Sequence, residues 1–423
     1  MSFGLGPSVL RHLEKISPNF DEDMTDVWRS RQRFQLKPPR EFYTDVASCG
    51  LGSVKVNKKK GCRDVLGPIK GPTRQPVIYT QCLVTKMNGV PIDFYERVCA
   101  FLSVERLKGA KELSGHYTIA AETEFNLRSR YVVTFKDGTI KPEHLLFECD
   151  RRIVETPKEI AAVPKKFVRS VYIKLRDAKG TVYREAVQQF PYACYHFTFY
   201  SSSINEAWVD FACSLKGLGI IRIGKKLKED ALRLFEKLVT GQKLSNINIA
   251  SKAIGGAMMG VLKSVICQDQ FEKLAICIEH NQRWSGCELL EFWAQNSERM
   301  KGKRLFLLSL GDTFKPLEDI FIQRAQMSNR AQAVGIEDVL EVCSKEECDF
   351  IDKEYLNSHY TCAMPSCVYK FEEGEDGKRR RIYISYDCAG ETQIVEPWRP
   401  ASHSGHNDLR LLRDTEYVHI LFG

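Results

Sequence analysis

Between residues 215 and 330 one short apolar spelling, L-x-x-L-x-L or a close variant, recurs four times. It is carried by Leu218, Ile221 and Ile223; by Leu244, Ile247 and Ile249; by Phe271, Leu274 and Ile276; and by Leu305, Leu308 and Leu310. The starts lie 26, 27 and 34 residues apart. Each run is followed by apolar residues at helical spacing. These are Leu232, Phe235 and Leu238; Met258, Val261, Leu262 and Val265; Leu289, Leu290 and Trp293; then Leu317, Ile320 and Phe321. Connections of this length force a crossover, which predicts that the four strands run parallel. One such unit cannot bury its own apolar faces, so the units must stack on a shared core. The longer third unit places an insertion around "HNQRWSG", and a fifth, degenerate unit starts near Val334.

One strand and one helix in roughly 20–29 residues, with this spelling, is the signature of leucine-rich repeats. The fold class expected is therefore α/β, with a short leucine-rich-repeat-like solenoid of parallel strands over 213–396. "CVYKFEEGEDGKRRRIYISYD" closes that region as a hairpin turning at Asp376-Gly377. Arg222, Asn248, Ala275 and Ser309 lie between the inward positions and are expected to line the outer face of the sheet as a substrate-binding surface. Residues 129–212 hold β-branched and aromatic runs ("RYVVTF", "KFVRSVYIKL", "TVYREAVQ", "YHFTFY") and are expected to form an antiparallel connector, with a hairpin turn at "DAKG" (177–180). Residues 397–423 read as a polar, turn-rich tail, although "EYVHILFG" is apolar enough to dock.

Charge separates off the N-terminus. Residues 1–86 hold 15 Lys and Arg against 8 Asp and Glu, while the rest of the chain is nearly balanced, 47 against 46. Past a short helix at "PSVLRHLEKI", Pro and Gly break any period, so 1–86 reads as an extended basic arm. Its "VNKKKGCR", with Lys58, Lys59, Lys60 and Arg63, is a candidate nucleic-acid or nuclear-import patch. A solvated linker is the plainer reading.

Residues 87–128 pack three short helical runs into one knot. Phe94, Val98, Phe101 and Leu102 fall on one face of the first. Ser103 is placed to cap the second, with Glu105 in its first turn. Ser114 is placed to cap the third, which turns Tyr117, Ala120, Ala121 and Phe125 inward. Helices this short need one another, and a partner.

Catalytic signatures are missing from the text: no Walker A sequence, no G-x-G-x-x-G after a strand, no H-E-x-x-H and no G-x-S-x-G. "GGAMMG" (255–260) reads as helix packing, His403 and His406 as tail residues, and Trp284, Trp293 and Trp398 as packing residues. The 15 cysteines are most simply reduced thiols. The set Cys343, Cys348, Cys362 and Cys367 has spacing looser than structural zinc prefers. No enzyme, cofactor or metal is expected. No run of 18 apolar residues would span a membrane.

"VPIDFYERVCAFLSVERLKGAKELSG" resembles an F-box. Val90-Pro91 stands where Leu-Pro is usual, and Leu102, Leu107 and Leu113 fall at plausible spaced positions. "LSG" before a helix, and "FEKLAICIEHNQRWSGCELLEFWAQNSERMKGKRLFLLSLG", look like a nematode-expanded family of F-box-like proteins with an α/β, repeat-like C-terminal region. The likeness covers about 87–390 and not 1–86; Met87 sits where such proteins begin. It implies a substrate-recognition adaptor of a Skp–cullin–F-box ubiquitin ligase, cytoplasmic or nuclear. Val90, Pro91, Phe94, Val98, Leu102, Leu107 and Leu113 would bind the Skp-type adaptor, and the repeats would hold a protein substrate. Two other readings stand beside it: a repeat scaffold whose helical knot caps a solenoid, and nucleic-acid association through the basic arm.

Overall fold

The structure, a computed structural model, describes residues 91–136, 139–176, 187–215, 217–278, 287–308, 314–328, 333–355, 361–374, 379–388 and 399–423. All but Pro91 fall within one compact unit. The arm and its Lys58, Lys59, Lys60 and Arg63, Val90, Ser309, and both expected turn tips (177–180 and 376–377) lie outside the described residues.

Three helices open the described chain: α1 (Ile92–Ala100), α2 (Val104–Ala110) and α3 (His116–Leu127). Ser103 caps α2, accepting the Arg106 N–H at 3.3 Å. Ser114 caps nothing. Gly115 takes the N-cap place of α3 at φ 77°, a left-handed conformation that suits glycine. Tyr95, Cys99 and Leu102 turn inward from α1, against Tyr117, Ala120 and Ala121 of α3. The inward position near the end of α3 belongs to Glu124 rather than Phe125, over whose ring Lys111 lies at 4.4 Å.

A single mixed sheet follows, with strands β1 (Ser129–Lys136), β2 (Thr139–Phe147), β3 (Ile153–Val154), β4 (Val168–Leu175), β5 (Cys194–Phe199), β6 (Leu218–Ile223), β7 (Asn246–Ala250), β8 (Lys273–Cys277), β9 (Arg304–Leu308), β10 (Glu341–Val342), β12 (Tyr369–Glu373), β13 (Arg380–Tyr386) and β15 (Tyr417–Phe422). Their order is β10-β12-β13-β15-β9-β8-β7-β6-β5-β4-β1-β2-β3, while β11 (Thr361–Cys362) and β14 (Arg399–Pro400) form a separate ribbon. From β1 through β4 to β9 the strands run parallel; β2 and β3 at one side, and β15, β13, β12 and β10 at the other, pair antiparallel.

Helices α4 (Pro157–Ala162), α5 (Glu206–Ser214), α6 (Glu229–Thr240), α7 (Gly256–Ile266), α8 (Cys287–Met300) and α9 (Lys315–Met327) bury apolar residues in one core with the strands' inward residues. That is what consecutive crossovers on one face produce. α6 shows the local logic. Glu229 and Asp230 oppose the dipole at its start, Gly241 ends it, and Leu232, Phe235, Leu238 and Val239 face the sheet. Each fully buried side chain of this kind contributes roughly 1.5–3 kcal/mol.

This architecture overturns the expected F-box-like knot followed by a short leucine-rich-repeat solenoid. The four repeat strands, β6 to β9, sit inside a 13-stranded sheet. A solenoid end would be capped; here β5 continues the ladder on one side and β15 on the other. The expected antiparallel connector holds β1, β4 and β5, which pair parallel. The last six strand residues, all buried, fill the gap between β9 and β13. The fourth repeat was also misregistered. Leu305 and Leu307 pair with Leu274 and Ile276, which puts Leu308 on the opposite face. In "RLFLLSL" leucines occupy both faces, so spacing alone does not fix the inward set.

Nor do the three helices form a separate knot. Arg128 alone joins α3 to β1, and its guanidinium donates to the carbonyls of Cys99 (3.1 Å), Ala100 (3.0 Å) and Leu102, where α1 ends. The opposite charge comes from Glu124, which also grips Arg169 on β4. The trio is therefore anchored to the sheet by buried ion pairs.

Candidate functional site

Two surfaces stand out. On α1 and the turn that ends it, Phe94, Val98 and Phe101 share a stripe at i, i+4 and i+7, beside the buried Tyr95 and Cys99. Phe101 is 90% exposed, Ile92 40% and Phe94 36%, and Val98 is half-buried. Pro91 precedes them, exposed. Such a run of large apolar side chains on one short helix is a protein-contact surface in character.

Among the residues expected to bind an adaptor, Phe94 and Val98 lie on this strip. Leu107 is fully buried, Leu102 nearly so, and Leu113 half-buried. These leucines hold together the helices that display the strip. Sequence reasoning put Phe101 on one face with Phe94, Val98 and Leu102 but left it out of the contact set, which took in the buried Leu102 instead. The signal was the competing stripe Tyr95, Cys99 and Leu102, one residue on.

The second surface is the sheet face away from α5–α9. Register brings Arg222, Asn248 and Ala275 side by side on β6, β7 and β8. The next position in that line is Phe306, followed by His419 on β15. Two flat stacks flank Asn248. Tyr172 and His196 lie 4.3 Å apart at 11°, with Arg130 and Arg222 over the tyrosine ring at 5.0 and 5.3 Å. Phe306 and His419 lie 4.5 Å apart at 17°, with Lys273 5.1 Å over the phenylalanine. Cation–π attraction of this kind is strongest where the cation is desolvated.

His196 Nδ1 accepts the Ile220 N–H at 3.0 Å, so its neutral ring carries the proton on Nε2. Gly219 makes this arrangement possible. A Cβ there would stand 2.6 Å from the imidazole and 2.8 Å from Cys194 Sγ. The row is not laid open, however. Tyr172, His196, Asn248, Lys273, Phe306 and His419 are buried, Ala275 is fully so, and Arg222 is half-buried. Its aromatic members were missed in the sequence because they alternate with core residues in "VYIKL", "YHFTFY" and "YVHILF".

Of the four spaced cysteines, Cys343 and Cys348 pack with Ile351, Val368, Tyr383, Ala401 and Leu421 in a small second cluster. Cys362 is fully buried on β11, and Cys367 donates to the Gly405 carbonyl at 3.2 Å. Among the described residues no three His, Cys, Asp or Glu side chains converge as a metal site. Burial pushes the Cys348 thiol up to about 11 and Cys388 to about 12, and raises Cys343 and Cys362 as well. These sulfurs stay protonated and weakly nucleophilic. No helix among the described residues is long and apolar enough to cross a membrane.

No protein family, curated protein or solved structure matches this chain.

Proposed function

We propose that this chain is a non-catalytic protein-recognition adaptor. The helical trio docks a Skp-type adaptor of a cullin–RING ubiquitin ligase, and the sheet body holds the protein to be modified. The observation that carries this reading is the apolar strip of Phe94, Val98 and Phe101, with both phenylalanines left exposed on helices that are themselves fixed to the body. A rigidly mounted strip docks without an ordering cost, so its contacts go into affinity. The role is proximity: two partners held on one chain raise each other's local concentration. Such work belongs in the cytoplasm or nucleus.

The test is capture of a purified Skp-type adaptor by the full chain and by Phe94→Asp/Phe101→Asp. Both residues are exposed, so the variant should keep its circular dichroism spectrum and melting temperature. Capture by the parent and at least about tenfold weaker capture by the variant supports the reading. Failure of the parent to capture the adaptor refutes it.

The arginine anchor favours a second reading, a scaffold in which the trio only covers the lower end of β1 and β4. In that case the double variant loses no partner at all.

A further inference from the structure

We infer that the carboxyl ends of β1, β4, β5 and β6 form a docking rim for an acidic, extended protein segment. The inference rests on the reading of this chain as a receptor for another protein, and it names the chemistry of what is received. Those ends are stepped against one another by backbone bonds. The Arg176 N–H donates to the Phe135 carbonyl at 3.0 Å, Tyr200 to Leu175 at 2.9 Å, Gly224 to Phe199 at 3.0 Å, and Lys228 to Ser202 at 2.9 Å.

This rim presents Lys136, Arg176, Lys225, Lys226 and Lys228, all exposed. None of the five forms an ion pair among the described residues. Elsewhere on the sheet and the helices packed on it, cations have carboxylate partners: Lys174 with Glu143 at 2.7 Å, Arg169 with Glu124 at 2.6 Å, Arg324 with Glu373 at 2.6 Å, and Lys370 with Glu347 at 2.7 Å. Beside Lys228 in sequence, Glu229 and Asp230 start α6, and Glu229 is engaged by Arg233 at 2.5 Å; Asp137 and Asp177, which follow Lys136 and Arg176, lie outside the described residues. Lys226 reaches across to the next strand's loop, its Cε 3.4 Å from the place a Cβ would take on Gly255. Concentrated positive charge of this kind attracts anionic partners and speeds their approach.

Two features select a polypeptide over a nucleic acid. Strands are about 4.8 Å apart, so the rim from β1 to β6 is about 14 Å long, the reach of four or five extended residues. Single-stranded nucleic acid also needs aromatic platforms for its bases. The aromatic ring at this rim, Tyr200, has the Arg176 guanidinium 5.1 Å over it. The cations therefore meet carboxylates on a strand-like segment. The polar row on the sheet face, being buried, offers far less surface for capture.

The experiment uses the full chain alone and a fluorescein-labelled hexaglutamate peptide at low salt, followed by anisotropy. A Gly-Ser peptide of equal length and a labelled oligothymidylate run beside it. The variants are Lys225→Glu/Lys226→Glu/Lys228→Glu and the neutral triple change to Gln, each checked by thermal melting. Saturable binding of hexaglutamate is expected. It should weaken at least about tenfold in the Glu triple, weaken less in the Gln triple, and fall as salt rises. Phe94→Asp/Phe101→Asp should leave it unchanged, which separates this result from any failure of adaptor docking. No binding, binding undiminished in both triples (as the basic arm 1–86 acting alone would give), or tighter binding of the oligothymidylate overturns the inference.

Discussion

Glu124 of α3 and Arg169 of β4 form a two-pronged ion pair, with Arg169 Nε 2.7 Å from one carboxylate oxygen and Nη2 2.6 Å from the other. The Glu124 side chain is only 3% exposed, and the same carboxylate receives Arg128 Nε at 3.0 Å. One carboxylate thus holds two guanidinium groups, one rooted in the helical trio and one in the sheet. Removing it would leave Arg128 buried beside Arg169 with no counter-charge.

Glu124→Ala should therefore destabilise the fold by roughly 3–5 kcal/mol, the range for breaking a buried pair by deleting one partner. Arg169→Met should cost less, since Glu124 keeps Arg128. Urea denaturation of both variants and of their double gives the coupling. Near-additive losses would mean that the trio is held by packing alone.

Gly219 gives the sharpest steric test. Its missing Cβ leaves the place occupied by the His196 ring and Cys194 Sγ. Gly219→Ala should cost roughly 1–3 kcal/mol through overpacking. In Gly219→Ala/His196→Ala the obstructing ring is gone, so the double variant should lose less than the sum of the two singles. Melting temperatures that simply add would show that the ring and the glycine do not share that space.

Local signals in the sequence were sound where one rule dominated. The stripe Leu232, Phe235 and Leu238 is amphipathic in an unambiguous way, and Ser103 is a cap whatever surrounds it. Architecture was not legible from the same rules. A strand–helix spelling is common to any series of crossovers on one face, and it does not say what flanks the series. β15 pairs with β9 across more than a hundred residues of chain, and no local pattern announces that pairing. The strip on α1 was half legible. Phe94 and Val98 were marked for contact, but Tyr95 and Cys99 win the inward face because α3 offers them Tyr117, Ala120 and Ala121. The rim lysines of "GKKLK" become a cluster only when parallel pairing brings four strand ends together.

Acid should weaken the end of the sheet near α10 (Lys345–Glu354). Burial pushes the Glu347 carboxyl up, but hydrogen bonds from the Lys370 ammonium (2.7 Å) and the Ser344 N–H (2.8 Å) outweigh it and hold the group below its ordinary 4.5. A carboxylate held low in the folded state adds stability that is complete above the ordinary value. That stability is lost as pH falls through the folded value. Lys370, raised by its bond to Glu347, keeps its charge throughout this window. Glu347→Gln should thus be less stable than the parent at about pH 7, and the deficit should shrink as pH falls below the ordinary carboxylate range. A deficit that stays constant as the pH is lowered, in urea titrations, would remove the pair from the account.

The C-terminal strand makes the strongest prediction, because a tail and a central strand respond to truncation in opposite ways. Phe422 is fully buried, with Trp293 6.2 Å away, and its neighbours on β15 pair with β9 on one side and β13 on the other. Phe422→Ala should cost roughly 3–5 kcal/mol, as for other large side chains emptied from a core. Deleting 417–423 should do more. It strips the backbone partners from both β9 and β13 and leaves two bare strand edges facing one another, which favours aggregation over a smaller native fold. Expression of the truncated chain, followed by size-exclusion chromatography and thermal melting, decides the matter. Loss of soluble, cooperatively melting protein is the expected outcome. A soluble monomer with the parent's melting temperature would return these residues to the status of a tail and would take β15 out of the sheet.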